Sequence, residues 1–148
     1  MVKQAKKKNK DFFQVYGING SLNVIEAKKI SIIRIDIMTG GMAEKKSWVL
    51  KLSRNKSLPI YRIPKDQFLK HYSGKRTQGI VVTFKGEIIT DIPSFSKSVN
   101  NICLLAMDNL EDPQNLGQII RTAECAGIDG ILIPDHGNVK ATNTVLQV

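Results

Sequence analysis

Apolar and polar residues change their spacing several times along this chain, and each change marks an element. At 30–38, Ile33, Ile35 and Ile37 alternate with Arg34 and Asp36, the period of a strand with one face toward a core. Ahead of it, Asn19-Gly20-Ser21 reads as a turn with Ser21 as a helix cap. Leu22 and Ile25 then open an amphipathic helix to about residue 29. Gly40-Gly41 ends the strand, and residues 44–52 place Trp48 and Leu52 on one face of a helix. A short strand at 59–63 leads to a helix over 64–72 that begins with proline. The run 79–84, with Val81 beside Val82, has the continuous apolar character of a strand covered on both sides. Helices alternating with strands over 12–92 predict a small α/β sandwich.

Pro93 with Ser94, Ser96 and Ser98 marks a linker over 93–99, and a second domain occupies 100–148. Its pattern is strand at 100–107, helix at 115–126, strand at 128–133 and a further helix from 141. A strand-helix-strand unit of this kind builds parallel sheets, whose ligands sit at the carboxyl ends of the strands. Residues 109–115 fall at that edge. The helix has two candidate caps: Asp112 with Pro113 in the first helical position, or Asn115 with Gln118 three residues on. Gly127 supplies its stop. Leu116, Ile119, Ile120 and Ala123 form the core stripe, with Gln118 and Thr122 on the polar side and Arg121 beside the stripe, its stem partly buried. Asn115 and Arg121 are six residues apart, which is not one face of a regular helix. They meet a common ligand only if Asn115 projects from the loop or first turn. Otherwise Asn115 is a cap and Arg121 pairs with Glu124.

Charge narrows the partner. The 148 residues carry a net +9 with a pI near 9.7, which suits a polyanion or an acidic surface, or a merely lysine-rich protein. Residues 1–11, with five lysines, read as a disordered basic tail. The best basic patch is Lys70, His71, Lys75 and Arg76 around Gly74, running into Thr77-Gln78-Gly79. It is no nucleotide P-loop, because Arg76 stands where Ser or Thr is needed. His71 and His136 are too isolated to propose a metal. Aromatic residues are sparse at 6%, so base stacking is not strongly predicted. Cys103 and Cys125 lie in apolar surroundings without metal spacing, which suggests buried free thiols in a reducing, cytoplasmic setting. No run is long enough to cross a membrane.

The segment Asp112-Pro113, Asn115, Gly117 and Arg121, with Ala126-Gly127-Ile128-Asp129-Gly130 downstream, resembles the first motif of the SpoU/TrmH RNA ribose 2'-O-methyltransferases. Val15-Tyr16-Gly17-Ile18, Glu26-Ala27 and Gln78-Gly79-Ile80-Val81 are similar to the small substrate-binding domain of ribosomal-RNA members. The resemblance implies a ribosomal-protein-like α/β sandwich followed by the first part of a SPOUT-type α/β knot. It implies Arg121 and Asn115 as catalytic, Arg121 acting at the target ribose. It also implies that Lys70, Lys75, Arg76, Thr77 and Gln78 contact RNA, that S-adenosylmethionine is the cofactor, and that the full enzyme is a homodimer. The partner would be ribosomal RNA, most simply that of the large subunit. The family's later motifs belong beyond Val148, so the chain resembles an N-terminal portion with no cofactor-binding residue of its own.

Overall fold

The computed structural model describes residues 12–27, 30–52, 57–86, 102–134, 139 and 142–147. It separates into two compact units, 1–86 and 87–148. The basic tail, the linker and the boundary between 92 and 93 lie outside the described residues.

In the first unit the order is β1 (Phe12–Tyr16), α1 (Ile18–Glu26), β2 (Ile30–Met38), α2 (Ser47–Leu52), β3 (Ile60–Ile63), α3 (Lys65–His71) and β4 (Ile80–Gly86). The strands form one sheet in the order β1-β4-β2-β3, with β2 and β3 parallel and the other pairs antiparallel. β4 is central and buried on both faces, as its unbroken apolar run predicted: Ile80, Val81, Val82 and Phe84 are all buried. On one face, Phe68 and Tyr72 of α3 and the loop after it pack on Val81, Tyr16, Met38 and Ile63. α1 lies against β1 and β4 on the other face, where a Cβ at Gly20 would stand 3.0 Å from Val15. The predicted sandwich is therefore present, with helices on both sides of the sheet.

Several boundaries differ from expectation for identifiable reasons. α1 starts three residues before Ser21, which is buried inside it; the cap is Gly17. No side chain adjacent in sequence performs the capping. Instead the Ile18 N–H donates to Gln78 Oε1 at 2.8 Å, a partner sixty residues away. In β2 the simple alternation fails. Ile32 lies opposite Phe84 and Arg34 opposite Thr83, so Ile33 is an extra residue, a bulge, and is 42% exposed. In α2 the buried residue is Val49, whereas Trp48 and Leu52 are only half-buried. Pro64 precedes α3 as its cap residue, with the extended ψ of 145°.

The second unit contains β5 (Leu104–Ala106), α4 (Pro113–Cys125), β6 (Gly130–Leu132) and α5 (Asn143–Gln147). β5 and β6 pair in parallel, which is the predicted unit with shorter strands. Of the two caps considered for α4, Asp112 is the one used: its Oδ1 accepts the Gln114 N–H at 2.8 Å, and Pro113 occupies the first position. Gly127, at φ +74°, ends the helix. The Gly127 N–H donates to Glu124 O and the Ile128 N–H to Ala123 O, a Schellman motif. Asp129 fastens the start of the pair, its carboxylate accepting the Cys103 N–H at 2.9 Å and its N–H donating to Cys103 O.

Candidate functional site

The second unit presents the loop 107–112 and the first turn of α4 at the carboxyl end of β5. Asn109 holds a positive φ of 50° there, a conformation that asparagine tolerates better than most residues. Asn115 is the third residue of α4 and is exposed, so it does project from the first turn. Arg121 is exposed as well. At about 100° per residue it sits roughly 140° from Leu116, the centre of the buried stripe. Its stem is therefore on the solvent side, not packed beside the core as expected. Glu124 is also exposed, and no ion pair joins it to Arg121 among the described residues. The two site residues are about 9 Å apart along the helix axis, from a rise of ~1.5 Å per residue. They do not touch each other. A ligand able to meet both must be extended, as an RNA backbone is.

Other parts of the stripe behave unequally. Leu116 and Ala123 are buried, Ile119 is half-buried and Ile120 is 38% exposed. A groove of about 370 Å³ runs beside α4, lined by Leu105, Gln118, Ile119, Thr122, Ala123, Ala126 and Ile128. Thr122 Oγ1 is occupied, donating to Gln118 O at 3.0 Å. Both thiols are exposed, which corrects the expectation of burial. Cys125 lies nine residues from Leu116, half a turn out of phase, so it faces away from the core.

In the first unit the basic loop connects α3 to β4. Gly74, Gln78 and Gly79 all have positive φ, which coils the loop tightly. Lys70, Lys75, Arg76 and Gln78 are exposed, whereas Thr77 is 7% exposed and its hydroxyl accepts the Gly79 N–H. Thr77 thus shapes the loop, and the side-chain amide oxygen of Gln78 caps α1. Lys75 Nζ donates to the Tyr16 hydroxyl at 2.5 Å and lies 4.6 Å from the Tyr16 ring centre. The Gly17 N–H donates to Ile80 O. Two sequence segments read separately, around Tyr16-Gly17 and Gln78-Gly79, are therefore one structural feature. Gly17 holds φ +86°, a conformation that L side chains rarely adopt, and a Cβ there would press on Gln78 Oε1 at 3.1 Å.

Sequence reasoning missed a buried polar network. Asp36 is 2% exposed in the middle of β2. It accepts the Tyr72 hydroxyl and the Arg34 Nε–H, the latter at 2.7 and 2.9 Å to its two oxygens. Burial first, then the bond to Asp36, holds the Tyr72 phenol well above its ordinary range. The Asp36 bond likewise raises Arg34. The available signal was a lone carboxylate between Ile35 and Ile37, which alternation assigned to solvent. Gln67 and His71 of α3 line a 250 Å³ pocket with Arg34, Asp36 and Ile63. No cluster of three metal-ligating side chains occurs among the described residues. None of their helices is long and apolar enough to cross a membrane.

This fold is that of known RNA methyltransferases. The AdoMet-bound rRNA methyltransferase of Sinorhizobium meliloti superposes with a TM-score of 0.65 at 17% identity, covering 91% of this chain and 48% of that one. The SpoU methyltransferase AviRb of Streptomyces viridochromogenes, in complex with AdoMet, gives 0.64 at 19% identity over the same shares. Residues 102–148 match the SpoU rRNA Methylase family. A Staphylococcus aureus protein named for the TrmH family of tRNA/rRNA methyltransferases is 30% identical over 120 residues, 78% of this chain and 48% of its own. A Staphylococcus saprophyticus protein so named is 33% identical over 103 residues, 67% of this chain and 41% of its own. The chain spans about half the length of these curated relatives.

Proposed function

We propose that this chain serves RNA ribose 2'-O-methylation with S-adenosylmethionine, its first unit binding large-subunit ribosomal RNA and its second presenting Arg121 to the target ribose. The observation that carries this reading is an exposed Arg121 on a helix whose first turn lies at the carboxyl end of a parallel strand, within a segment of the SpoU family. A guanidinium is a poor base, since its pKa exceeds ~12. Its suitable tasks are to grip a phosphate with its planar fork and to stabilise the oxygen that loses its proton. Asn115, in the first turn, orients the loop or the sugar. S-adenosylmethionine supplies an activated methyl group. The groove beside α4 is lined mainly by apolar residues with Gln118 and Thr122, and no charged residue lines it to pair with the cofactor's ammonium and carboxylate, so none of the described residues is assigned to it.

RNA binding falls to Lys70 in the last turn of α3 and to Lys75 and Arg76 on the α3-β4 loop, with Thr77 and Gln78 shaping that loop. The net charge of +9 favours the same partner. The working enzyme is a cytoplasmic homodimer. A second reading is an RNA-binding module without catalysis, supported by the exposed Lys75 and Arg76 of the first unit.

Methyl transfer to ribosomal RNA tests the first reading. Arg121→Ala in the methyl-transferring protein should lower turnover by about 10³-fold while RNA affinity stays within about two-fold. Near-native turnover removes Arg121 from the chemistry. Calorimetry of residues 1–148 with S-adenosylmethionine should show no binding; micromolar binding defeats the assignment of the cofactor site elsewhere. For the loop, Arg76→Glu should weaken ribosomal RNA binding about ten-fold in a filter assay and flatten its salt dependence.

A further inference from the structure

Sheet register places four strands' worth of polar and aromatic side chains on one face that α3 covers only in part. The cross-strand pairs set Phe12 beside Lys85 and Ser31, Gln14 beside Thr83 and Arg34, and Tyr16 beside Val81, Asp36 and Tyr61. α3 and the loop after it close over the Tyr16, Val81, Met38 and Ile63 end. Phe12, at the other end, is 56% exposed, and Tyr61, in the Tyr16 row but on the opposite edge strand, is 47% exposed. Three strand spacings of ~4.8 Å across and four residues of ~3.4 Å along put the two positions about 20 Å apart on a diagonal of the sheet, with Arg34 between them.

Each ring carries a cation. The Arg34 guanidinium lies 4.2 Å from the Tyr61 ring centre, and Lys85 Nζ lies 5.5 Å from that of Phe12. Arg34 is held from behind by Asp36 through Nε alone, which leaves both terminal nitrogens of its fork without a partner among the described residues. The one carboxylate on this face, Asp36, is buried and already engaged. What remains open is positive, aromatic and flat.

We infer that this sheet face, from Phe12 and Lys85 to Arg34 and Tyr61, binds a single-stranded stretch of RNA. Bases stack on the two rings and on the guanidinium plane, and the backbone phosphates meet Lys85 and the free fork of Arg34. The charge of the face selects a nucleic acid over an apolar partner, and the half-open rings select unpaired bases over a duplex. This inference rests on the RNA-binding reading above and deepens it. The loop would grip structured RNA while the sheet takes an adjacent unpaired segment.

The test uses the whole 148-residue chain and a short unstructured oligoribonucleotide, with a duplex of equal length as control. Phe12→Ala and Tyr61→Ala should each weaken binding of the single strand about five- to ten-fold, with duplex binding unchanged. K85E should lower single-strand affinity about ten-fold and reduce the salt slope by about one. Thermal midpoints within a few degrees of native confirm that the variants fold. Ultraviolet crosslinking should join the RNA to peptides containing Phe12 or Tyr61. If native protein binds RNA in an Arg76-dependent way yet all three variants bind the single strand normally, the sheet inference falls alone. Absence of any RNA binding by the native chain overturns both readings. Self-association lost in Phe12→Ala and Tyr61→Ala, with RNA binding intact, marks the face as a contact between copies and also overturns it.

Discussion

The two units contain similar elements but hold them in different ways. The first buries both faces of a central strand and ties loops together over long sequence separations, as in Gln78 to Ile18 and Asp36 to Tyr72. The second has two three-residue strands, and its buried apolar side chains among the described residues are Leu116, Ala123 and Val145. Leu104 and Ile120 stand exposed beside them. Local devices therefore matter more there: the Asp112 cap, the Gly127 stop and the Asp129 bridge. Tertiary burial defines the first unit, and the ends of one helix define the second. The catalytic arginine is proposed on the less enclosed unit, where exposed side chains can reach a large substrate.

Truncating one core residue in each unit tests this contrast most severely. Phe68→Ala should cost about 3–5 kcal/mol, because Phe68 is fully buried between the Tyr72 ring and Val81. Amide exchange should accelerate throughout 12–86 and spare the second unit. Leu116→Ala should cost about 2 kcal/mol, the low end for this change, because the open groove beside α4 lets water and side chains fill the space. Equal losses would show that the second unit is as tightly packed as the first.

Next in size is the buried network. Tyr72→Phe removes a hydrogen bond to a buried carboxylate and should cost about 1–3 kcal/mol in urea unfolding. Because the folded phenol is raised above its ordinary value of 10.0, the native state keeps the proton that the unfolded chain loses. That stability is complete below pH 10 and declines as pH rises through the alkaline range. One of the three tyrosines should ionise late by absorbance, and Tyr72→Phe should remove that phase. Three tyrosines titrating together would contradict the network.

Smaller still, Asp112→Ala should destabilise the second unit by about 1 kcal/mol through loss of the α4 cap, measured by local exchange of the first-turn amides. The same change in methyl transfer would show how far Asn115 depends on that turn. Finally, a thiol reagent should modify Cys103 and Cys125 in the native state at rates close to those of the unfolded chain. Protection of either would place a covering surface over it.

Sequence alone determined the element types and their order in both units from α1 onward, whereas the edge strand β1 was not read from residues 12–16. Val81 and Val82 announced a doubly covered strand, the period-two run announced β2, and Pro113 with Gly127 marked the two ends of α4. Such signals are local, because capping, turn chemistry and hydrophobic period act within a few residues. It also placed Asn115 and Arg121 on a helix at a strand tip and collected Lys70, Lys75 and Arg76 in one basic patch around Gly74.

Tertiary structure decided everything that required two distant segments to meet. The bulge at Ile33 turned Arg34 and Asp36 to the face shared with Tyr61 and Tyr72, which no alternation could reveal. Gln78 capped a helix sixty residues earlier, so a residue read as an RNA contact also became part of the frame. The aromatic content, too sparse at 6% to suggest stacking, became suggestive once register set Phe12 and Tyr61 on one sheet face. Arg121 came out on solvent because helical phase relative to the buried residue, not closeness in sequence to apolar neighbours, sets exposure. Pairing between strands is a long-range choice among registers, and the energy that selects one appears only when the sheet closes.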